Sequence, residues 1–115
     1  MAVTLMIGYP RGARFDVEYY LGTHLALAGD AWKRFGMGAW RVTTAGASTE
    51  GDGEEGEAAS PFAALVEIDW PSREALRRAR AETPPEHARR LADDIANYTD
   101  AAPVVWVMEQ RAGGA

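Results

Sequence analysis

No cysteine occurs among the 115 residues. Disulfides, thiolate metal sites and a cysteine nucleophile are thereby excluded, and the chain suits a reducing compartment. Histidine is almost as scarce, with two residues. A zinc site would need carboxylates to complete its shell. None stands at ligand spacing from His24 or His87, so no metal is expected. No apolar run approaches the roughly 20 residues of a membrane span. The opening MAVTLMIGYPRG lacks the charged and apolar regions of a secretion signal. A basic stripe is missing too. The net charge is −5 with both signs interspersed, which argues against a nucleic-acid partner. The run at Arg77, Arg78 and Arg80 reads as a solvated helix face. Pro10-Arg11-Gly12 lacks the spacing of a phosphate loop, and no flavin or Ser-His-Asp signature is present. These absences predict a cytoplasmic protein with neither membrane nor nucleic-acid partner and no cofactor.

What is there is enough for one core. Hydrophobic residues make up 47%, and the length fits a single domain over residues 1–115. Val3, Leu5, Ile7 and Tyr9 alternate with Thr4, Met6 and Gly8, the period of a strand. Asp16 is an N-cap for a helix whose stripe runs Val17, Tyr20, Leu21, His24, Leu27, Ala28, Ala31, Trp32 and Phe35. Gly36 and Gly38 end it. Residues 39–45 form the next strand, with Trp40, Val42 and Thr44 on one side. Residues 48–60, rich in Gly and Glu, are expected as an exposed hairpin loop. Residues 62–70 form the third strand, with Phe62, Ala64, Val66 and Ile68 on one face.

A helix follows Pro71-Ser72 through about Ala81. Thr83-Pro84-Pro85-Glu86 predicts a capping box that restarts it, with Ala88, Leu91, Ala92, Ile95 and Tyr98 buried. Residues 104–109 are the last strand, and 111–115 a loose tail. The order βαββαβ is the split βαβ, ferredoxin-like pattern, an α+β fold with a four-stranded antiparallel sheet and its helices on one face. The last strand, Val104-Val105-Trp106-Val107-Met108, is apolar on both faces. A second copy is the simplest cover for the open face, which predicts a homodimer built as a dimeric α+β barrel.

The residue that asks for explanation is His24, a titratable group within an apolar stripe. A buried imidazole titrates near neutrality and suits acid–base work, although a core histidine bonded to a carbonyl or a Tyr hydroxyl needs no function. Tyr20 stands four residues before it, on the same face, and Tyr19 lies about 100° around the helix. Either hydroxyl suits the positioning of a substrate oxygen. Asp100, in the Asn97-Tyr98-Thr99-Asp100 turn, is placed to reach the same pocket and orient the imidazole. Arg41 and Glu67 are expected to pair across a dimer interface or line a cavity. Among the four tryptophans, one or two suit the wall of an aromatic site.

The segment FDVEYYLGTHLAL resembles the helix signature of the EthD family, named for ethyl tert-butyl ether degradation, in which FD, a YY pair and a His follow an N-terminal strand and a Gly-containing loop. ANYTDAAPVVWV is similar to the closing segment of that family. The resemblance spans nearly the whole chain and implies a dimeric α+β barrel. The matching positions are Phe15, Asp16, Tyr19, Tyr20, His24, Tyr98, Thr99 and Asp100. The acidic stretch from Glu50 to Glu57 is longer than the usual hairpin, and Pro84-Pro85 departs from the motif. The family is linked to catabolic gene sets and polyketide tailoring. Its relatives by fold include cofactor-free monooxygenases, lactone isomerases, polyketide cyclases and haem-degrading enzymes, an analogy of fold only.

The expectation is a cofactor-independent enzyme for an aromatic, lactone or polyketide-like molecule. His24 moves a proton, Tyr20 and Asp100 assist, and Tyr19, Phe15, Trp32 and Tyr98 bind substrate. A binding protein that holds a hydrophobic intermediate for a partner enzyme needs the same pocket. A haem protein with His24 as axial ligand is the third reading.

Overall fold

The computed structural model describes residues 1–45 and 59–115. The hairpin loop expected over 48–60 therefore lies outside the described residues, apart from its last two. Four strands, β1 (Val3–Pro10), β2 (Trp40–Thr44), β3 (Phe62–Trp70) and β4 (Val104–Glu109), form one antiparallel sheet in the order β2-β3-β1-β4. The helices lie between them in sequence: α1 (Val17–Tyr19) leading through a π turn into α2 (Leu25–Trp32), then α3 (Arg73–Glu82) and α4 (Pro85–Tyr98). This is the α+β, ferredoxin-like arrangement that the element order predicts.

Strand period sets the two faces of the sheet. Val3, Leu5 and Tyr9 of β1 and Ala64, Val66, Ile68 and Trp70 of β3 are buried toward the helices. Thr4, Met6 and Gly8 take the other face, opposite Asp69, Glu67 and Leu65 on one side and Met108, Trp106 and Val104 on the other. Phe62 does not follow the phase expected for β3. Register shifts between Tyr9 and Pro10, and this irregularity turns Phe62 to the open face. There its ring sits against Gly8 and stacks on Trp106 at 5.7 Å. A Cβ on Gly8 would come within 2.6 Å of that ring, so a larger residue there would have to displace Phe62.

The open face is mixed rather than oily. Arg41 pairs with Asp69 at 3.1 Å and stands 3.6 Å from Glu67, all within one chain. The pairing expected across an interface is satisfied at home, because Arg41 and Glu67 are register partners on adjacent strands. Apolar exposure gathers on β4, where Val104, Val105 and Met108 are each about half exposed.

The first helix is capped as its sequence dictates, with the Asp16 side chain accepting from Tyr19 N at 3.1 Å. It is not a regular α-helix. Residues Tyr20–His24 form a π turn, and Leu25 N donates to Tyr20 O. Lys33–Phe35 then tighten into a short 3-10 turn that ends at Gly36, whose φ of 107° is left-handed.

Ser72 caps α3 through Ala75 N at 3.0 Å. The capping box expected at Thr83 is absent. The Thr83 hydroxyl donates instead to Ala79 O and closes α3, so α4 starts one residue later than expected, with Pro85 at its first position. Ala88 and Ala92 are exposed, and Asp94 takes the buried stripe with Leu91 and Tyr98. On α3, Arg77 and Arg78 pair with Glu74 and Glu82, the solvated face that their sequence predicts.

Candidate functional site

The site forms where the π turn faces α4. In a π turn, i→i+5 bonding sets residues four apart more nearly in line than an α-helix does. Tyr20 and His24 consequently stack, with ring centroids 5.2 Å apart and planes 29° from parallel. Tyr98 packs against both, 5.0 Å from Tyr20 and 4.7 Å from His24. Phe15 and Tyr9 close the cluster from below, and the Tyr9 and Tyr98 hydroxyls bond at 2.7 Å. Edge and tilted contacts of this kind add about 0.5–1.5 kcal/mol per pair beyond area burial, so the imidazole has a rigid seat.

A carboxylate completes it. His24 Nδ1 lies 2.9 Å from Asp94 Oδ2, with both residues buried. Asp94 Oδ1 accepts from the Tyr19 hydroxyl at 2.5 Å and from Asn97 Nδ2 at 3.1 Å. Burial by itself pushes the Asp94 carboxyl up. The hydrogen bonds from Tyr19, Asn97 and His24 outweigh it and hold the group below its ordinary value. Burial likewise pulls His24 down, and the attraction of Asp94 only partly restores it. At neutral pH the pair is a neutral imidazole donating from Nδ1 to a carboxylate anion. That hydrogen bond fixes the tautomer and leaves the lone pair on Nε2. Nε2 has no hydrogen-bond partner among the described residues, where the fully buried side-chain polar atom without one is Trp70 Nε1. Burial raises the hydroxyls of Tyr20 and Tyr98 well above the ordinary phenol range, so they stay protonated.

The structure brings Phe15, Tyr19, Tyr20, His24 and Tyr98 together. Two other expected residues lie elsewhere. Asp100 is exposed, and its Oδ1 accepts from Arg14 N at 2.8 Å, tying the β1–α1 loop to the α4–β4 turn. The carboxylate on His24 is Asp94, not Asp100. Trp32 packs on Trp70 at 6.0 Å, within the core. Asp94 and Asn97 are what sequence reasoning missed. The signal was present: Asp94 stands three residues after Leu91 and four before Tyr98, squarely on the buried stripe of α4. Among the described residues, no three of His, Asp and Glu gather as metal ligands do.

Fold and site together define a small α+β protein of ferredoxin-like topology with a buried Asp–His pair under its helix layer. Its structure is similar to that of an EthD-like protein from Ralstonia eutropha, with 27% identity, a TM-score of 0.73, and coverage of 94% of this chain and 90% of that one. An ethyl tert-butyl ether degradation family protein from Bacillus halodurans matches with 18% identity and a TM-score of 0.64 over 96% of this chain and all of the other. A conserved protein from Methanosarcina mazei shares the fold, with 9% identity, a TM-score of 0.51, and 96% and 94% coverage. The resemblance to EthD-like proteins carried by FDVEYYLGTHLAL thus extends to the structure. No protein-family model matches the chain, and no curated protein does. No helix among the described residues is long and apolar enough to cross a membrane.

Proposed function

We propose that this protein is a homodimeric, cofactor-independent enzyme that moves a proton on an aromatic, lactone or polyketide-like small molecule in catabolism or tailoring. The setting is cytoplasmic. The reading rests on one observation, the 2.9 Å contact between buried His24 Nδ1 and Asp94 Oδ2. A histidine needed only for packing is satisfied by a carbonyl. Burying a carboxylate beside it costs several kcal/mol unless donors surround it, and here Tyr19 and Asn97 are recruited to supply them. The arrangement makes Nε2 a general base and stabilises the imidazolium that forms when it takes a proton. Tyr20 holds the ring from one side and Tyr19 fixes the charge of Asp94. Both act as positioning residues for His24.

The homodimer reading rests on β4, whose exposed Val104 and Met108 flank the half-buried Trp106 on the face that the helices leave bare. The test of function is turnover. Wild type and His24→Gln are incubated with a panel of aromatic carboxylates, phenols and enol lactones, and products are followed by mass spectrometry. Conversion by wild type, with a loss of at least a hundredfold in a folded His24→Gln, is expected. Conversion that survives the substitution removes His24 from the chemistry. Binding without conversion by either protein favours the second reading, a carrier that holds a hydrophobic intermediate for a partner enzyme.

A further inference from the structure

The sheet order β2-β3-β1-β4 leaves β4 as an edge strand, paired with β1 alone among the described strands. Gln110 N donates to Ala2 O at 3.0 Å, one step beyond the pairing of Val3 with Glu109. That bond fixes the phase of the ladder. Hydrogen-bonded and non-hydrogen-bonded pairs alternate along antiparallel strands, so Val104, Trp106 and Met108 turn their N–H and C=O groups to β1. Val105, Val107 and Glu109 turn theirs outward. Apolar edges are ordinarily blunted by lysine, proline or a bulge. Residues 104–108 carry no such device, and Val104 and Val105 are about half exposed.

Val105 and Val107 lie on the helix side of the sheet, opposite Ile7 and Leu5. Val107 lines a groove of about 480 Å³ between β4 and α3, and the charges of that groove are one-sided. Arg73, Arg77 and Arg80 stand against a single acid, Glu74, which Arg77 already holds at 2.9 Å. Arg73 and Arg80 form no ion pair among the described residues. They are separated by roughly 10 Å along α3, at about 1.5 Å per residue. This groove repels a cation, although the chain as a whole has a net charge of −5.

An unpaired edge beside a basic groove suits one kind of occupant. We infer that β4 accepts an extended acidic segment of a partner protein as a fifth, antiparallel strand. Its backbone pairs with Val105 and Val107, and acids at alternate positions reach the arginines. Strand residues two apart are separated by roughly 6.5–7 Å, so two such acids fit the span from Arg73 to Arg80. A second copy fits poorly. Antiparallel edge-to-edge pairing about a two-fold axis puts both α3 helices on one side of the joined sheet, where arginines face arginines. A free carboxylate or phosphate satisfies the arginines but leaves the edge unpaired. The dimer contact proposed above uses Trp106 and Met108 on the open face. The inference is independent of the proton-transfer reading.

The test is an NMR titration of the full chain at low salt with capped pentapeptides. Thr-Glu-Thr-Glu-Thr puts its two acids opposite Val107 and Val105 and keeps clear of Glu109. It is expected to shift the Val105 and Val107 amides saturably and to bind about tenfold tighter than Thr-Lys-Thr-Lys-Thr. Methylating its two Glu nitrogens removes donors that face β4 and should abolish binding. Methylating the central Thr nitrogen, whose N–H faces away, should leave the affinity within about twofold. Arg73→Gln combined with Arg80→Gln, both at exposed positions, should cut the preference for the acidic peptide to about threefold or less.

Absence of saturable binding by the acidic peptide overturns the inference, as does a preference for the lysine peptide. Equal effects of the two methylations overturn it too, because the site then reads charge without pairing backbone and takes any small anion. A peptide that splits a dimer of this protein, followed by light scattering, identifies the edge as an interface between copies and has the same consequence. None of these readouts involves turnover, so failure of the His24 chemistry leaves them untouched.

Discussion

His24 and Asp94 meet at 2.9 Å although 70 residues separate them in the chain. The contact joins the π turn of the first helix to the middle of α4, and it fixes which imidazole nitrogen carries the proton. The proposed proton transfer depends on that choice of tautomer.

Asp94→Asn tests the pairing directly. An amide keeps the shape but loses the negative charge that favours the imidazolium. The His24 pKa should fall further, read from the ring proton shifts in an NMR titration. Turnover of any substrate found should drop by about 10²–10⁴-fold, the range for losing a general base or the carboxylate that orients it. A His24 titration identical to that of wild type is the contrary result.

Acid should destabilise the fold in two stages. The native pKa of His24 is lowered from 6.5 by burial, so the unfolded chain binds a proton first as pH falls, and stability declines below about that value. The native pKa of Asp94 is lowered from 3.8, so its stabilisation is present above that value and is lost as pH falls through its native pKa. Each group gives a slope of at most about 1.4 kcal/mol per pH unit. Urea titrations from pH 8 downward should show the upper stage in wild type, followed below pH 3.8 by a lower stage that Asp94 shares with Asp69, and His24→Gln should abolish the upper one. An unchanged upper stage in the variant would falsify the assignment.

The Tyr9–Tyr98 hydroxyl pair, 2.7 Å apart and buried, makes a prediction about asymmetry. Tyr9→Phe alone strands the Tyr98 hydroxyl and should cost about 1–2 kcal/mol, whereas Tyr98→Phe leaves Tyr9 beside the Tyr20 hydroxyl and should cost less. The double variant removes both groups and should be no less stable than the worse single one. Additive losses in denaturant melts would show that each hydroxyl has another partner.

The proposed dimer can be tested on β4. Trp106→Glu and Met108→Glu put charges on the face that the helices leave bare. Light scattering should find a dimer for wild type and a monomer for the double variant, with helical content retained. Wild type that runs as a monomer across micromolar concentrations ends the dimer proposal.

Much of this was legible in the chain. Period-two alternation located the strands to within a residue, and β3 and β4 fall where the sequence predicts. Asp16 and Ser72 cap the helices that their positions announce. The stripe through Tyr20 and His24 put both rings on the inner side of the first helix. Such features are local, because side-chain direction follows from the repeat of the element that carries it.

What the chain alone left open was which inward-facing groups meet. Periodicity places Asp94 and His24 each on a buried face, but it carries no information on how far α4 slides along the first helix. Packing sets that register, and it brought Asp94 to the imidazole and left Asp100 on the Arg14 amide. The π turn and the β-sheet irregularity that re-aims Phe62 arise in the same way. Each shifts a local repeat by one residue to suit a neighbour distant in sequence, and only the folded whole determines where such a shift is favourable.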